Sequence, residues 1–125
     1  MTTNRPIIHA AAENLAQSPW VPLTMSSGWA PVGGHTPRVC KVGQIVFLTG
    51  AVMRQNGGYK SNIATVPEGY RPNNGTQFIG VGVSSRGTSY ELYLGATGTL
   101  AIDIYNGIGD GVGMIMPIAA IFVPV

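Results

Sequence analysis

The stretch Gln44–Arg54, with the sequence QIVFLTGAVMR, decides the fold class because it carries apolar side chains on both faces of an extended strand. Successive side chains of a strand point to opposite faces. One face then carries Val46, Leu48 and Val52, and the other carries Ile45, Phe47, Ala51 and Met53. The run 113–123, GMIMPIAAIFV, has the same two-faced character. Since no helices are predicted to cover these strands, we expect a neighbouring subunit to cover the second face.

The rest of the chain from Trp20 onward also favours strands, because short β-branched and aromatic runs recur between Gly, Pro and Asn clusters. The predicted strands are 20–24, 37–42, 44–54, 61–65, 76–84, 88–95, 98–105 and 113–123. Their short connections favour antiparallel hairpins. We therefore expect an all-β domain of about eight antiparallel strands at residues 19–125.

The N-terminal segment 1–18 differs in composition from the rest. Residues 6–17 favour a helix, and Ile8, Ala11, Ala12 and Leu15 fall on one stripe of it. A helix this short is not stable alone. We expect a short N-terminal arm or helix that packs on the domain or on other copies of itself, with a frayed arm as the alternative. No long apolar run follows the N-terminus, so no secretory signal is predicted.

Charge and composition exclude several function classes. Only 10% of the 125 residues are charged, and such low charge leaves apolar patches that favour an oligomer. The seven Lys and Arg residues are scattered singly, which argues against nucleic-acid binding. The apolar C-terminal run from Val112 is too short to cross a bilayer as a helix and contains Pro117 and Pro124, so a buried strand is predicted there and no membrane insertion.

Catalytic and metal-binding patterns are weak. The single Cys40 has only His9 and His35 as soft-ligand companions, without the spacing of a metal site, so neither a metal nor a disulfide is predicted. No Ser has the sequence context of a nucleophile. The Gly-rich run 107–113 lacks the spacing of a phosphate loop, so no cofactor is predicted either. Of the five carboxylates, only Glu91 and Asp103 fall on strands that could be neighbours, and we expect no enzyme.

Saccharide binding combines aromatic faces with planar polar groups. Trp29 and His35 flank a Gly33-Gly34 loop, Tyr59 follows another Gly pair, and Asp103 and Tyr105 share the polar face of one strand. These five residues are the candidate ligand-binding residues. For each of them, ordinary packing or solvation is the competing interpretation.

The order of landmarks along residues 20–72 resembles the C-terminal head of tailed-bacteriophage receptor-binding and minor tail proteins. Heads of this family typically show a Trp followed by a Gly-Trp pair, an Arg-x-x-Lys-x-Gly-x-x-Val-x-Leu-x-Gly strand pair and a Leu-Pro-x-Gly-Tyr-Arg-Pro turn. The matching stretches are WVPL at 20–23, SGW at 27–29, PRVCKVGQIVFLTGAV at 37–52 and IATVPEGYRP at 63–72. Val66 replaces the usual Leu, and Cys40 stands where an aromatic residue or Arg is common. Beyond residue 72 the resemblance is one of strand pattern only.

The resemblance implies an antiparallel, jelly-roll-like β-sandwich head, a homotrimer at the tail tip of the virion, and recognition of a host cell-surface saccharide. In such a trimer we expect the two apolar runs, Gln44–Arg54 and 113–123, at the trimer axis or in the core. Other tail or baseplate proteins would be its further partners. The matched motifs, Lys41–Gly43 and Tyr70–Pro72, set turns and strand ends, so no binding residue is carried over from the family. The alternative is a structural virion subunit of the same fold without a ligand. A third possibility is a polysaccharide-cleaving tip that uses Glu91 and Asp103.

Overall fold

Antiparallel strands make up the fold throughout the computed structural model, which describes residues 16–104 and 112–125. The strands are β1 (Val21–Pro22), β2 (Thr24–Met25), β3 (Trp29–Pro31), β4 (Arg38–Val42), β5 (Ile45–Thr49), β6 (Ala51–Arg54), β7 (Ala64–Thr65), β8 (Thr76–Val83), β9 (Ser89–Gly95), β10 (Thr99–Ile104), β11 (Ile115–Pro117) and β12 (Ala120–Phe122). They form three sheets, a four-stranded sheet in the order β1-β4-β5-β12, a five-stranded sheet in the order β2-β7-β10-β9-β8, and a three-stranded sheet in the order β11-β6-β3. The predicted all-β, antiparallel sandwich class is confirmed.

The hydrophobic core lies between the sheets and draws residues from all three. Strand alternation decides which side chains enter it, as in β9, where Tyr90, Leu92 and Leu94 are buried and the residues between them are not. The same alternation buries Leu100 and Ile102 of the neighbouring β10. Burying one such side chain stabilises the fold by about 1.5–3 kcal/mol, so the inward face of this strand pair alone anchors the five-stranded sheet.

The two apolar runs that dominate the sequence each bend into two strands. Gln44–Arg54 is divided at Gly50 into β5 and β6, which belong to different sheets, and 113–123 is divided into β11 and β12. The two bends lie side by side, since the Ile118 N–H donates to the Gly50 carbonyl at 2.9 Å. The prediction of one continuous strand in each run was therefore wrong. At a shared corner the first run passes from the four-stranded to the three-stranded sheet and the second run passes back.

Because of this corner, the protein's own sheets bury part of both apolar strand faces without a second subunit. Beyond Gly50, consecutive residues Ala51 and Val52 are both buried by the protein's own sheets. Before it, β5 keeps Ile45 exposed and Phe47 half-buried, and the paired β12 exposes Ile121. The expectation of a covering subunit therefore concerns mainly the outer face of the four-stranded sheet, although Ile115 of β11 is also exposed.

Two further strand predictions needed revision. The predicted strand 20–24 is interrupted at Leu23, so that β1 joins the four-stranded sheet and β2 the five-stranded sheet. Strand β3, at Trp29–Pro31, was not predicted, because the Ser26–Gly28 turn and Gly33-Gly34 surround it with loop-forming residues.

The motifs that carry the family resemblance occupy turns and strand ends. Val42 faces Ile45 across a two-residue hairpin turn, in which Gly43 adopts a φ of 61°. Arg71 Nε donates to the Val66 carbonyl at 2.6 Å and so closes the turn between these two residues. These contacts are structural, as the motifs predicted.

The predicted N-terminal arm or helix falls largely on residues 1–15, which lie outside the described residues. The chain is attached to the sandwich from Gln17, which bridges to Val42. Ser18 then exchanges two hydrogen bonds with Lys41, one from its own N–H at 2.9 Å and one to its Oγ at 2.8 Å. The division at residue 18 remains a prediction.

Candidate functional site

Trp29 lies in the core and not on the surface. Only 4% of its area is exposed, and its indole Nε1–H donates to the Tyr59 carbonyl at 3.0 Å. Its ring face is therefore closed to a ligand in this structure. Tyr59, whose backbone holds that indole, is itself 73% exposed and presents its ring to solvent.

His35 lies on a separate, positively charged hollow of about 530 Å³, lined also by Thr36, Arg38, Thr49, Gly50 and Ala119. The Arg38 guanidinium stacks 4.6 Å from the centre of the Trp20 ring, and such cation–π contacts hold an arginine in place. This hollow belongs to the four-stranded sheet, through Arg38 and Thr49.

Asp103 is exposed near the end of β10, and its Cα partner on β9 is Glu91. The Ile102 N–H donates to the Lys60 carbonyl at 2.9 Å, which places the residue after Tyr59 beside the residue before Asp103. The structure thus brings Tyr59 and Asp103 to neighbouring segments, whereas His35 belongs to another surface. Tyr105 lies outside the described residues.

The outward side of β8, β9 and β10 is a continuous surface that mixes aromatic, apolar and acidic side chains. Cross-strand registry aligns Phe78 with Tyr93 and Ala101 in one row, and Val81 with Glu91 and Asp103 in the next. We call this surface the β8–β10 face. Its side chains are Thr76, Phe78, Val81, Val83, Ser89, Glu91, Tyr93, Thr99, Ala101 and Asp103.

Tyr93 is the best-held side chain of the β8–β10 face. Its hydroxyl donates to Glu91 Oε1 at 2.7 Å, and its ring centre lies 5.6 Å from that of Phe78 with the planes tilted by 60°. The hydrogen bond to Glu91 raises the pKa of Tyr93 above its usual value, and the negative charges of Glu91 and Asp103 raise it further. The phenol therefore stays neutral, and its orientation is fixed before any ligand arrives.

A hollow of about 420 Å³ opens beside Tyr93. It is lined by Ser61, Gly75, Thr76, Tyr93, Gly95, Ala96, Thr97, Thr99 and Ala101. The Thr97 and Thr99 hydroxyls lie 3.2 Å apart and share a hydrogen bond. Since hydroxyl groups both donate and accept, this hollow offers adaptable polar contacts next to an aromatic ring.

Two other hollows have different chemistry. A hollow of about 700 Å³ contains Lys41, Glu68 and Arg71 and is of mixed charge. A hollow of about 500 Å³ is mainly apolar and lies where the four-stranded sheet meets strand β8, with Trp20, Phe47 and Ile121 of the first side and Ile79 of β8 in its lining.

Metal and thiol chemistry find little support in residues 16–104 and 112–125. No group of three or more His, Cys, Asp or Glu side chains there is arranged to hold a metal ion. Cys40 is buried, and desolvation raises the pKa of its thiol, an effect that Arg38 partly offsets. Within the same residues, no helix has the length and apolarity needed to cross a membrane.

The candidate residues named from the sequence did not include Phe78 or Tyr93, and Glu91 was considered there only as a carboxylate neighbour of Asp103. The signal was present in the period of β9, because Leu92 and Leu94 must face the core and so turn Tyr90 inward and Tyr93 outward. Placing Phe78 beside Tyr93 requires the registry between β8 and β9, which shifts at an irregularity between Phe78 and Gly80. Such a shift could not be derived from the alternation pattern.

Comparison with known proteins gives one informative similarity. No family model matches the chain, and no curated protein matches it significantly. Among solved structures, the receptor binding protein (gp15) of Listeria phage PSA is similar, with a TM-score of 0.62 and 17% sequence identity. The similarity covers 96% of this chain and 75% of that one. At this identity the similarity establishes a shared fold, and the chain has the fold found in that phage receptor-binding protein.

Proposed function

We propose that this protein is a receptor-binding protein of a bacteriophage tail, located at the tail tip of the virion, and that it attaches the phage to a saccharide on the host cell surface. The observation that carries the proposal is the β8–β10 face, where an oriented tyrosine, two carboxylates and a hydroxyl-lined hollow lie together. The fold shared with the phage receptor-binding protein over 96% of the chain supports the assignment to a tail.

The chemistry of this face suits a sugar. The carbon–hydrogen side of a pyranose packs on an aromatic ring, while its hydroxyl groups need acceptors and donors at the ring's edge. Tyr93 supplies the first, and Glu91, Asp103 and the threonines of the hollow supply the second. Apart from Thr97, which lies in the turn between β9 and β10, all of them stand on paired strands, so little conformational entropy is lost on binding.

Adhesion fits this surface better than hydrolysis of the glycan. Glu91 and Asp103 face each other across two strands, but they lie on the outer side of a sheet. Enzymes that cleave glycans gain from closing the site and expelling water. An open sheet face favours binding without cleavage.

We further propose a homotrimer, in which the outer face of the four-stranded sheet forms the contact between subunits. Ile121, which is 68% exposed, is aligned with the half-buried Phe47, and both line the apolar hollow that also contains Trp20. Contiguous apolar surface of this kind is typical of interfaces. Other tail or baseplate proteins would hold the trimer on the virion.

The direct test is adsorption of the purified protein to bacterial cell walls. Fluorescently labelled protein should bind the walls of at least one of a panel of bacterial strains, and binding should be lost when the wall polysaccharide is extracted. Binding that survives removal of the polysaccharide would contradict saccharide recognition. The absence of binding to every strain of the panel would favour the alternative, a structural virion subunit without a ligand.

A further inference from the structure

We propose that the β8–β10 face is the saccharide site of the adhesin and that it selects uncharged glycans over anionic ones. This inference rests on the proposed function and specifies the site and the class of ligand. Among its central residues, Glu91 and Asp103 were already expected from the sequence to lie on neighbouring strands, whereas the placement of Tyr93 and Phe78 comes from the structure.

The aromatic ring of the β8–β10 face, that of Tyr93, is already held in place without a ligand. Tyr93 stands on β9, between β8 and β10, and is held from one side by the hydrogen bond to Glu91 and from another by the tilted ring of Phe78. Two independent contacts fix the direction of one outward-facing, half-buried ring. A free surface tyrosine would have to be ordered when a ligand binds, and this one is already ordered.

Polar groups lie on two sides of the Tyr93 ring. The row that contains Glu91 and Asp103 lies next to the row of Tyr93 and Ala101 along the strands. Ionised carboxylates only accept hydrogen bonds, and sugar hydroxyls donate them. The threonine hollow lies in the other direction, toward Thr76 and Thr99. A sugar ring over Tyr93 would therefore have strong acceptors at one edge and hydroxyl groups at the other.

The charged side chains of the β8–β10 face are acidic. Two of the five carboxylates in the sequence lie on this face, and none of the side chains that define it is basic. Like charges placed together at an interface oppose binding of the wrong ligand. A glycan bearing phosphate or carboxylate groups would meet this repulsion, whereas a neutral glycan would not. The basic hollow of His35 and Arg38 on the four-stranded sheet has the opposite character.

The size of the site fits a small part of a glycan chain. The hollow of about 420 Å³ falls within the range of roughly 300–1,000 Å³ that is usual for small-molecule sites. Val81 and Val83 continue the face beyond Glu91 as an exposed apolar strip. This strip can contact the carbon–hydrogen surfaces of further sugar units.

The experiment measures binding of the full chain to arrayed oligosaccharides. The probes are uncharged oligosaccharides of glucose, galactose, rhamnose and N-acetylhexosamines, together with the same sugars carrying phosphate or carboxylate groups. We expect binding to at least one uncharged probe and at least tenfold weaker binding to its anionic counterpart. Tyr93→Ala should weaken binding by about tenfold or more, and Glu91→Gln and Asp103→Asn by about fivefold or more, as expected for hydrogen bonds to charged groups.

Two variants serve as controls. Glu68→Gln removes a carboxylate from an exposed turn of the charged hollow elsewhere on the molecule and should leave binding unchanged. Ala101→Gln places a longer side chain beside Tyr93 without removing a side-chain contact and should block the platform, which keeps the test decisive if Tyr93→Ala fails to fold. The double variant Glu91→Gln/Asp103→Asn should also reduce the discrimination against anionic probes.

Each result has a distinct meaning. If the protein binds cell walls but binds only anionic probes, or if Tyr93→Ala and Ala101→Gln bind as the unmodified protein does, this inference is overturned and adhesion stands. If Ala101→Gln changes the oligomeric state, the face is a subunit contact and the inference is also overturned. If the protein binds neither walls nor probes, the proposed function is lost and the site assignment with it.

Discussion

Tyr90 and Tyr93, three positions apart on β9, show how the face of a strand determines the role of a side chain. Tyr93 points outward and holds Glu91. Tyr90 is buried, and its hydroxyl donates to the Pro117 carbonyl, so that it ties the five-stranded sheet to β11. Burial without a charged partner raises the pKa of Tyr90 to about 12. Two identical residues thus have different environments, and the recognition role is proposed for Tyr93 alone.

The raised pKa of Tyr90 predicts a specific loss of stability at high pH. The folded protein holds the phenolic proton more tightly than the unfolded chain, whose tyrosine titrates near 10, so the stabilisation is complete below pH 10 and disappears as the pH approaches 12. At pH 8, Tyr90→Phe should lower the free energy of unfolding by about 1 kcal/mol through the lost hydrogen bond. Between pH 10 and 12 this difference should shrink, as measured by denaturant unfolding of both proteins. A difference that stays constant over this range would contradict the assignment.

Trp29 shows why a candidate residue could be named from the sequence but not placed. Because Trp29 lies close to the Gly33-Gly34 pair, the sequence predicts that it stands on a loop, and Trp29 does adjoin a loop. Its burial depends on the Tyr59 carbonyl, thirty positions away in the sequence, which accepts the indole N–H. A hydrogen bond between residues so far apart produces no recognisable pattern in the sequence around either residue. Asp103 was placed correctly on the wet face of its strand, because the alternation with Leu100 and Ile102 is local.

At the scale of elements, Gly50 is the residue on which the division of the apolar run depends. Its φ of +125° lies in a region that residues with a side chain rarely adopt. A Cβ built at this position would lie 2.5 Å from Pro37 Cα, so there is also no room for a side chain. Only glycine allows β5 to turn into β6 against the segment that leads into β4.

Replacing Gly50 should therefore be strongly destabilising. Gly50→Ala combines a strained φ, which costs about 1–3 kcal/mol, with a backbone clash at Pro37, and we expect a fall in Tm of ten degrees or more, on the order of 2 kcal/mol at several degrees per kcal/mol. Gly33→Ala is the matched control, because a Cβ there would meet nothing within 4 Å. Thermal unfolding followed by circular dichroism compares the two. Equal melting temperatures for both variants would contradict the role of Gly50 at the corner.

The strands that could be predicted are those with one wet face. Strands β8, β9 and β10 were placed within two residues of their observed bounds, since alternation and Gly-containing turns define them. The corner strands could not be divided, because a run that is apolar throughout gives no change of period where the strand leaves one sheet for another. In the first run the division is marked in the sequence by Gly50 alone, and glycine is also common inside ordinary strands and turns of this chain.

At the scale of the molecule, the two exposed sheet faces differ in a way that fits the separate roles proposed for them. The outer face of the four-stranded sheet is apolar around Phe47 and Ile121, with its charges at the Arg38 end. The β8–β10 face mixes apolar residues with Glu91 and Asp103. Burying ionised carboxylates between subunits would be costly without partners. The first face therefore suits a permanent contact, and the second suits a ligand that exchanges with water.

This division predicts how two equally exposed residues should respond to the same substitution. Ile121 and Val81 are 68% and 67% exposed and lie on the two different faces. Light scattering of the unmodified protein should give about three times the 13.1 kDa mass of the chain. Ile121→Asp should reduce this to the mass of a monomer, since a carboxylate would be buried at the contact, while Val81→Asp should keep the trimer. A monomeric unmodified protein at micromolar concentration would contradict the trimer. Dissociation caused by Val81→Asp instead of Ile121→Asp would reverse the assignment of the two faces.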